Sequence, residues 1–510
     1  MKNKKGSRRS RTKAAARRGD RLSKKPDDNL LDILERAGVD RLSKLPDDIL
    51  LNILERVDTL DALRTCILSK RMLKLPTMLS RFDINIASLT RHHDTASYGY
   101  NTAHIARYNN AVAGVTEKVL SARNVEIPIQ KLTGRFYLRR DECISIGRAF
   151  ARTMTTQKVG EAEFTLLTEK SCSTCSHDVL LCYAKLFSTW FGDCPVVFSG
   201  LTRLWLCNMR FAEQDIPNIL STCKRLQNLR LAYCDAGVGS VLQVDHSQLV
   251  ELSIEHGEFE AIQLNCVPKL KRVNYTGWSY PYPNLTFGYV PQLSRLSLIH
   301  MGISFTKNLQ LSHLLANVPS RISDLHLDFK SEKIWVVPEC PNLLACLLCK
   351  LRVVNLVNLP EECDIAWTMF ILEAAPALKE MCIRVWDHWC NMVTDKELRK
   401  KNGYCEKANV EWQHSAVDFK HKNLVKLTIY GFQPDEYFLR YVRRILEVAA
   451  NIEEISLQDR EACPRCGSLD PNIKVSPSRY PRTGEKKNML REEITAGFQM
   501  VSPAVIRFEP

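Results

Sequence analysis

What this chain lacks narrows its reading first. No run of about eighteen uncharged apolar residues occurs, and its start is basic rather than apolar, so neither a membrane-spanning helix nor a secretory leader is expected. There is no phosphate-cradling glycine loop, no His-Glu-x-x-His and no Gly-x-Ser-x-Gly, which withdraws support from nucleotide-loop, zinc-protease and serine-hydrolase chemistry. His92 and His93 adjoin in a polar loop and read as solvated. Scattered acids cannot be assigned as an acid–base pair without geometry, so no catalytic residue and no cofactor are expected. The 19 cysteines are odd in number and have no secretion signal to accompany them; they read as reduced thiols, many of them small core residues, rather than as a disulfide framework. The sequons at Asn274 and Asn284 are then unused, and the expected location is the nucleus and/or the cytoplasm.

What is present is length, apolarity and a biased charge. A chain of 510 residues with 45% hydrophobic content exceeds one compact core, so several domains or an elongated array are expected. Nine cations, Lys2, Lys4, Lys5, Arg8, Arg9, Arg11, Lys13, Arg17 and Arg18, precede the first acid, Asp20, and leave only +5 of the +14 formal charge to the rest. Residues 1–19 therefore read as a disordered basic tail, either simply solvated or serving nuclear import, nucleic-acid contact or organelle targeting as a transit peptide. Neither nucleic acid nor a membrane is an expected partner of the folded part.

Residues 20–39 and 40–59 are a tandem duplication: DRLSKKPDDNLLDILERAGV is followed by DRLSKLPDDILLNILERVDT. Lys25 and Asn29 of the first copy stand where the second has Leu45 and Ile49, so the second is the better packing surface. There Pro46 suits a first helical turn, and Asp47 and Asp48 suit the positive end of the helix dipole. Ile49, Leu50, Ile53, Leu54 and Val57 recur at helical spacing, Asp58 or Thr59 can cap a second helix, and Leu60, Leu63, Cys66 and Ile67 give it an apolar stripe. Two short helices cannot form a self-sufficient core, so their apolar faces need a partner.

Further on, the pattern apolar-x-x-apolar-x-apolar begins at Leu201, Leu226, Leu249, Leu270, Leu293, Ile322, Leu351, Leu378, Leu424 and Ile452, mostly 21 to 29 residues apart. That is the period of repeats in which one short strand per unit joins a parallel sheet. Alternation predicts an inner stack of Leu204 and Leu206, Leu229 and Leu231, Leu252 and Ile254, Leu296 and Leu298, and Leu325 and Leu327, with the intervening side chains on an open face. Segments such as 159–164 look like imperfect earlier repeats back to about residue 115. The 46-residue interval after Leu378 is a missed repeat or an inserted loop.

On these residues the chain resembles a plant-type F-box protein with degenerate leucine-rich repeats. Leu45-Pro46-Asp47-Asp48-Ile49-Leu50, then Asp61-Ala62-Leu63-Arg64-Thr65 through Leu68-Ser69-Lys70-Arg71, follow the F-box wording in order; Met72 stands where the family usually has Trp, and Asp58 where many members have Pro. The stretches 421–432 and 478–482 resemble the closing, FBD-type region of that class. The fold class expected is α/β: a short helical F-box followed by a leucine-rich-repeat solenoid (horseshoe). Its expected parts are the tail at 1–19, a degenerate partial F-box duplicate at 20–39, the F-box at 40–80, a connecting region with imperfect repeats at 81–200, the solenoid at 201–460 and a cap or tail at 461–510.

The resemblance implies a non-catalytic substrate-recognition subunit of a Skp-cullin-F-box (SCF) ubiquitin ligase, docked on a Skp-type adaptor and through it on a cullin, with an unknown protein substrate on the concave face. Expected adaptor-binding residues are Leu45, Pro46, Ile49, Leu50, Ile53, Leu54, Leu63, Ile67 and Met72. Arg203, Trp205, Arg230, Arg272, Arg295, His326, Arg384 and Tyr430 form the expected substrate row. The alternatives are a non-ligase repeat scaffold whose F-box has drifted, and a nuclear nucleic-acid binder acting through the basic tail. Three Cys-x-x-Cys pairs, Cys172/Cys175, Cys346/Cys349 and Cys463/Cys466, lie far apart without a nearby second pair, so no metal site is expected, although Cys463-Pro-Arg-Cys466-Gly has knuckle-like wording.

Overall fold

The computed structural model describes residues 44–89, 102–172, 175–277, 284–299, 309–401 (apart from 317, 319–321, 332–333, 362 and 391), 412, 419–469, 477–497 and 504–509. The basic tail and the first F-box copy lie outside these residues. The chain divides into two compact units, Met1–Ile53 and Leu54–Pro510.

In the first unit the described chain enters α1 (Asp47–Leu54), whose first hydrogen bond runs from Leu50 N–H to Pro46 O, 3.0 Å. The proline at the entry forgoes an N–H that would have had no acceptor there.

The second unit opens with α2 (Thr59–Arg64), capped by Asp58, whose Oδ1 accepts the Asp61 N–H at 2.9 Å. Asp58, at a position where many relatives have proline, thus satisfies a helix-start donor that would otherwise need water. The remainder is built on a 14-stranded parallel sheet. Its strands are β1 (Arg81–Asn85), β2 (Ile129–Tyr137), β3 (Val159–Leu167), β4 (Arg203–Arg210), β5 (Asn228–Asp235), β7 (Glu251–Glu255), β9 (Arg272–Thr276), β11 (Arg295–Ile299), β12 (Asp324–Asp328), β13 (Val353–Leu359), β14 (Glu380–Val385), β15 (Lys426–Tyr430), β16 (Glu454–Gln458) and β17 (Val505–Glu509), in that spatial order. A second sheet, ordered β10-β8-β6, comprises β6 (Val241–Asp245), β8 (Ala261–Cys266) and β10 (Leu285–Tyr289).

All ten predicted repeat starts lie two residues before a strand of the large sheet, and the predicted inner stack is buried throughout. One carbonyl ahead of each strand fixes the next entry. Thr202 O accepts from Gln227 and Asn228, Gln227 O from Val250 and Glu251, and Val250 O from Lys271 and Arg272, a series that reaches Val425 O with Glu453 and Glu454. The ladder locks the register of successive coils without side-chain chemistry, which lets the sequence degenerate.

The sixth strand position has its own rule. Asn208, Tyr233, His256, Gly277, Asn358 and Gly431 all occupy left-handed backbone, and each is the sixth residue counted from the start of its strand. Asn208, Tyr233 and Asn358 lie inside their strands, whereas His256, Gly277 and Gly431 follow directly after theirs; Gly and Asn accept this conformation most readily.

The sheet is longer than the expected 201–460 at both ends. β2 and β3 belong to it, where imperfect earlier repeats were expected back to about residue 115, β1 carries it further toward the start, and β17 extends it into the expected tail. The early strands escape a search for leucines because β2 places Gly134 inward beside Phe164 of β3, and a Cβ at 134 would lie 3.0 Å from that ring. One large and one small residue fill the space that two leucines fill elsewhere. Phe164, Phe136, Phe150, Trp190 and Phe198 then form an aromatic core with α4 (Arg140–Thr156) and α5 (His177–Asp193), which follow α3 (Thr102–Ala122). Among the described residues no helix is long and apolar enough to cross a membrane.

Candidate functional site: an adaptor segment and a concave face

The nine expected adaptor residues divide by burial. In the first unit Ile49 and Ile53 of α1 are 44% and 39% exposed, Pro46 is exposed and Leu45 half-buried, whereas Leu50 is buried. In the second unit Ile67 is 87% and Leu68 61% exposed, Leu63 is half-buried, and Leu54 and Met72 are buried. Leu50, Leu54 and Met72 are therefore covered side chains, and the exposed apolar surface of the segment comes from Ile49, Ile53, Ile67 and Leu68. The helical spacing that marks one apolar stripe does not say which residues the chain covers itself. Met72 in particular, 2% exposed, belongs to the interior rather than to an outward apolar tip.

The segment is also tied to the array. The Ser80 N–H and hydroxyl both donate to Glu55 Oε1, at 2.9 and 2.6 Å, and Asp83 N–H of β1 donates to Thr59 Oγ1 at 2.7 Å. Within the second unit the F-box residues and the first strand thus share hydrogen bonds rather than meeting through a free linker.

On the sheet, all eight residues of the expected substrate row stand at outward strand positions, in two groups. Arg203, Trp205 and Arg230 line a groove of about 700 Å³ with Ser253, His256, Asn274 and Lys330, among others. Arg272 and Arg295 follow on β9 and β11, outside that lining. Farther along, the Arg384 guanidinium lies 4.6 Å from the centre of the Tyr430 ring. His326 is close enough to Arg384 to feel its charge; burial chiefly, then that cation, holds its imidazole below the ordinary value, while Asp328 acts in the opposite sense.

The arginines are neutralised from neighbouring strands. Glu163 holds Arg203 at 2.9 Å and Lys131 at 3.1 Å; Arg230 meets Glu255 at 2.6 Å, Arg272 meets Glu251 at 3.3 Å, and Arg295 meets Asp324 at 3.5 Å. Pairs this exposed contribute about 0–1 kcal/mol each, so their main effect is to make the face a mixed-charge surface rather than a basic stripe. The carboxylates were missed in the sequence although the signal was there: aligning strand starts puts Glu251 beside Arg272 and Arg295 beside Asp324. The Trp205 indole N–H is buried with no acceptor among the described residues.

A second constellation was not expected. His388 and Cys390, after β14, meet Cys463 and Cys466, after β16, with all four donor atoms within 4.8 Å of one another. The Cys463/Cys466 pair does have a partner pair, supplied across the fold rather than along the chain. The other two Cys-x-x-Cys pairs join no such group among the described residues.

Comparison with known proteins decides the family. Residues 183–491 match the model described as At1g61320/AtMIF1, LRR domain, and residues 42–83 match the F-box domain. This chain belongs to that leucine-rich-repeat family and carries an F-box. It is also similar to the Arabidopsis thaliana "F-box/FBD/LRR-repeat protein At5g56420", 30% identical over 264 residues, which cover 50% of this chain and 54% of that protein. The chain thus spans about half the length of the curated relative it matches. The F-box match includes the first residues of β1, in keeping with the hydrogen bonds that join the two.

Proposed function

We propose that this F-box, leucine-rich-repeat chain is a substrate-recognition subunit of an SCF-type ubiquitin ligase. The F-box docks on a Skp-type adaptor that links it to a cullin, and the concave face holds a protein substrate. The chain forms and breaks no bond itself. It raises the local concentration of substrate lysines near the charged ubiquitin carrier.

The observation that carries this reading is the exposure of Ile67 and Leu68 in the turn just after α2, inside the segment matched to the F-box. Large apolar side chains left in water within a recognition module call for a covering partner. The mixed-charge groove with Trp205 and Arg230 at its centre supports a protein substrate, because aromatic and arginine anchors dominate protein interfaces. The test is co-expression of the full chain with a Skp-type adaptor and a cullin, followed by size-exclusion chromatography. A ternary complex is expected for the wild type, and its loss for Ile67→Asp.

A further inference from the structure

The donors at the ends of β14 and β16 have the identity, number and spacing of a structural metal site. Cys390 Sγ lies 3.8 Å from Cys463 Sγ, and Cys466 Sγ lies 3.9 Å from His388 Nδ1. Tetrahedral zinc, with Zn–S of about 2.3 Å and Zn–N of about 2.0 Å, places its sulfurs about 3.8 Å apart and a sulfur and an imidazole nitrogen about 3.6 Å apart. A disulfide would bring two sulfurs to about 2.05 Å, far inside the separation found. We propose that His388, Cys390, Cys463 and Cys466 form a structural zinc site that fastens the loop after β14 to the loop after β16.

The surroundings are built to hold the donors. Pro464 starts the turn that carries Cys463 and Cys466, and Gly467 N–H closes it by donating to Cys463 O at 3.0 Å. On the other side the Trp386 ring stacks on His388 with centroids 4.3 Å apart. The His388 N–H donates to Ser331 Oγ at 3.2 Å, and that hydroxyl in turn donates to Trp386 O. Ser331 is buried in left-handed backbone, so the clasp reaches back to the exit of β12.

Neighbouring parallel strands lie about 4.8 Å apart, so β14 and β16, with β15 between them, are about 10 Å apart, and their exit loops cross that gap to bring the four donors together. His388 and Cys390 stand near the start of the long segment between β14 and β15. Four ligands with no open position suit a structural rather than a catalytic ion. Binding displaces the protons of three thiols.

The test uses the full chain purified under reducing conditions without chelator. Metal analysis is expected to find about one zinc per chain. After chelation, cobalt(II) titration is expected to give a thiolate-to-cobalt charge-transfer band with intense tetrahedral ligand-field bands. Cys463→Ser combined with Cys466→Ser should lose both, and Cys172→Ser combined with Cys175→Ser should keep both. Should the first pair of substitutions fail to fold, His388→Cys provides an independent reading: metal is retained and the charge-transfer band intensifies as a fourth thiolate replaces the imidazole. Wild type that yields no zinc and no cobalt bands overturns the proposal, as does binding unchanged in the Cys463→Ser, Cys466→Ser variant. A Cys390–Cys463 disulfide as the sole product in reducing buffer overturns it equally.

Discussion

The Arg230 guanidinium lies over the Trp205 indole, 3.9 Å from its centre, while Glu255 of the next strand grips the same guanidinium at 2.6 Å. An aromatic, a cation and a carboxylate thus hold one another in place on adjacent strands before any partner arrives. Preorganised anchors of this kind lose little side-chain freedom on binding. Trp205→Ala is expected to cost about 2 kcal/mol or more of substrate affinity, roughly a 30-fold loss. The readout is recovery, with the full chain as bait, of proteins that accumulate when the chain is removed; the variant should lose them while still retaining the adaptor.

Met72 and Ile67, five residues apart in the F-box, should respond in opposite ways. Met72→Ala empties a buried position and is expected to cost about 2–4 kcal/mol in urea unfolding, with adaptor capture preserved in the folded fraction. Ile67→Asp changes a largely exposed side chain, so its unfolding midpoint should hardly move.

A pair of buried histidines predicts the pH response. His246 Nε2 lies 3.0 Å from Cys223 O and His421 Nε2 lies 3.0 Å from Ala375 O, and in each ring Nδ1 accepts a backbone N–H, from Gln248 and from Leu424 respectively. Both imidazoles are used up in the neutral form, and burial holds both below their ordinary 6.5. The unfolded chain takes up these protons as the pH falls through about 6.5, before the folded chain does. Stability is therefore full above that value and declines toward the lower folded values. Urea midpoints should be lower at pH 5.5 than at pH 7.5. His421→Phe should cost on the order of 2 kcal/mol at pH 7.5, for the backbone groups left unpaired, and make the pH dependence shallower.

Gly431 marks the exit of β15 at φ +75°, where an added Cβ would lie 1.9 Å from Val385 O. Gly237 has φ +96° and open space around it. Ala at 237 should cost only the backbone conformation, about 1–2 kcal/mol, whereas Ala at 431 adds a clash with main chain that cannot yield. Thermal melting of the two variants should rank Gly431→Ala well below Gly237→Ala.

How much of this was legible in the sequence depended on whether a feature lives in local periodicity. Leu201, Leu226 and their eight counterparts announced their strands because each repeat buries leucines at fixed offsets. β3 was legible only as the imperfect repeat at 159–164 and β2 lacked a regular leucine start, since Gly134 and Phe164 share their volume unequally across two strands. β17 follows β16 only after a long excursion, so no interval pointed to it. The outward positions of Trp205, Arg230 and Tyr430 follow from alternation alone. Their carboxylate partners needed the register, and the burial of Met72 needed the packing. Cys390 and Cys463 are 73 residues apart and meet only because the strands they follow both flank β15, which no spacing rule along the chain reveals.

The most direct test of the central claim is the affinity of the full chain for a Skp-type adaptor, measured by calorimetry for the wild type, Ile67→Asp and Met72→Ala. Tight one-to-one binding by the wild type and by folded Met72→Ala, with at least a tenfold loss (about 1.4 kcal/mol) in Ile67→Asp, is the predicted result. A wild type that does not bind, or an Ile67→Asp chain that binds as well as wild type, would contradict it.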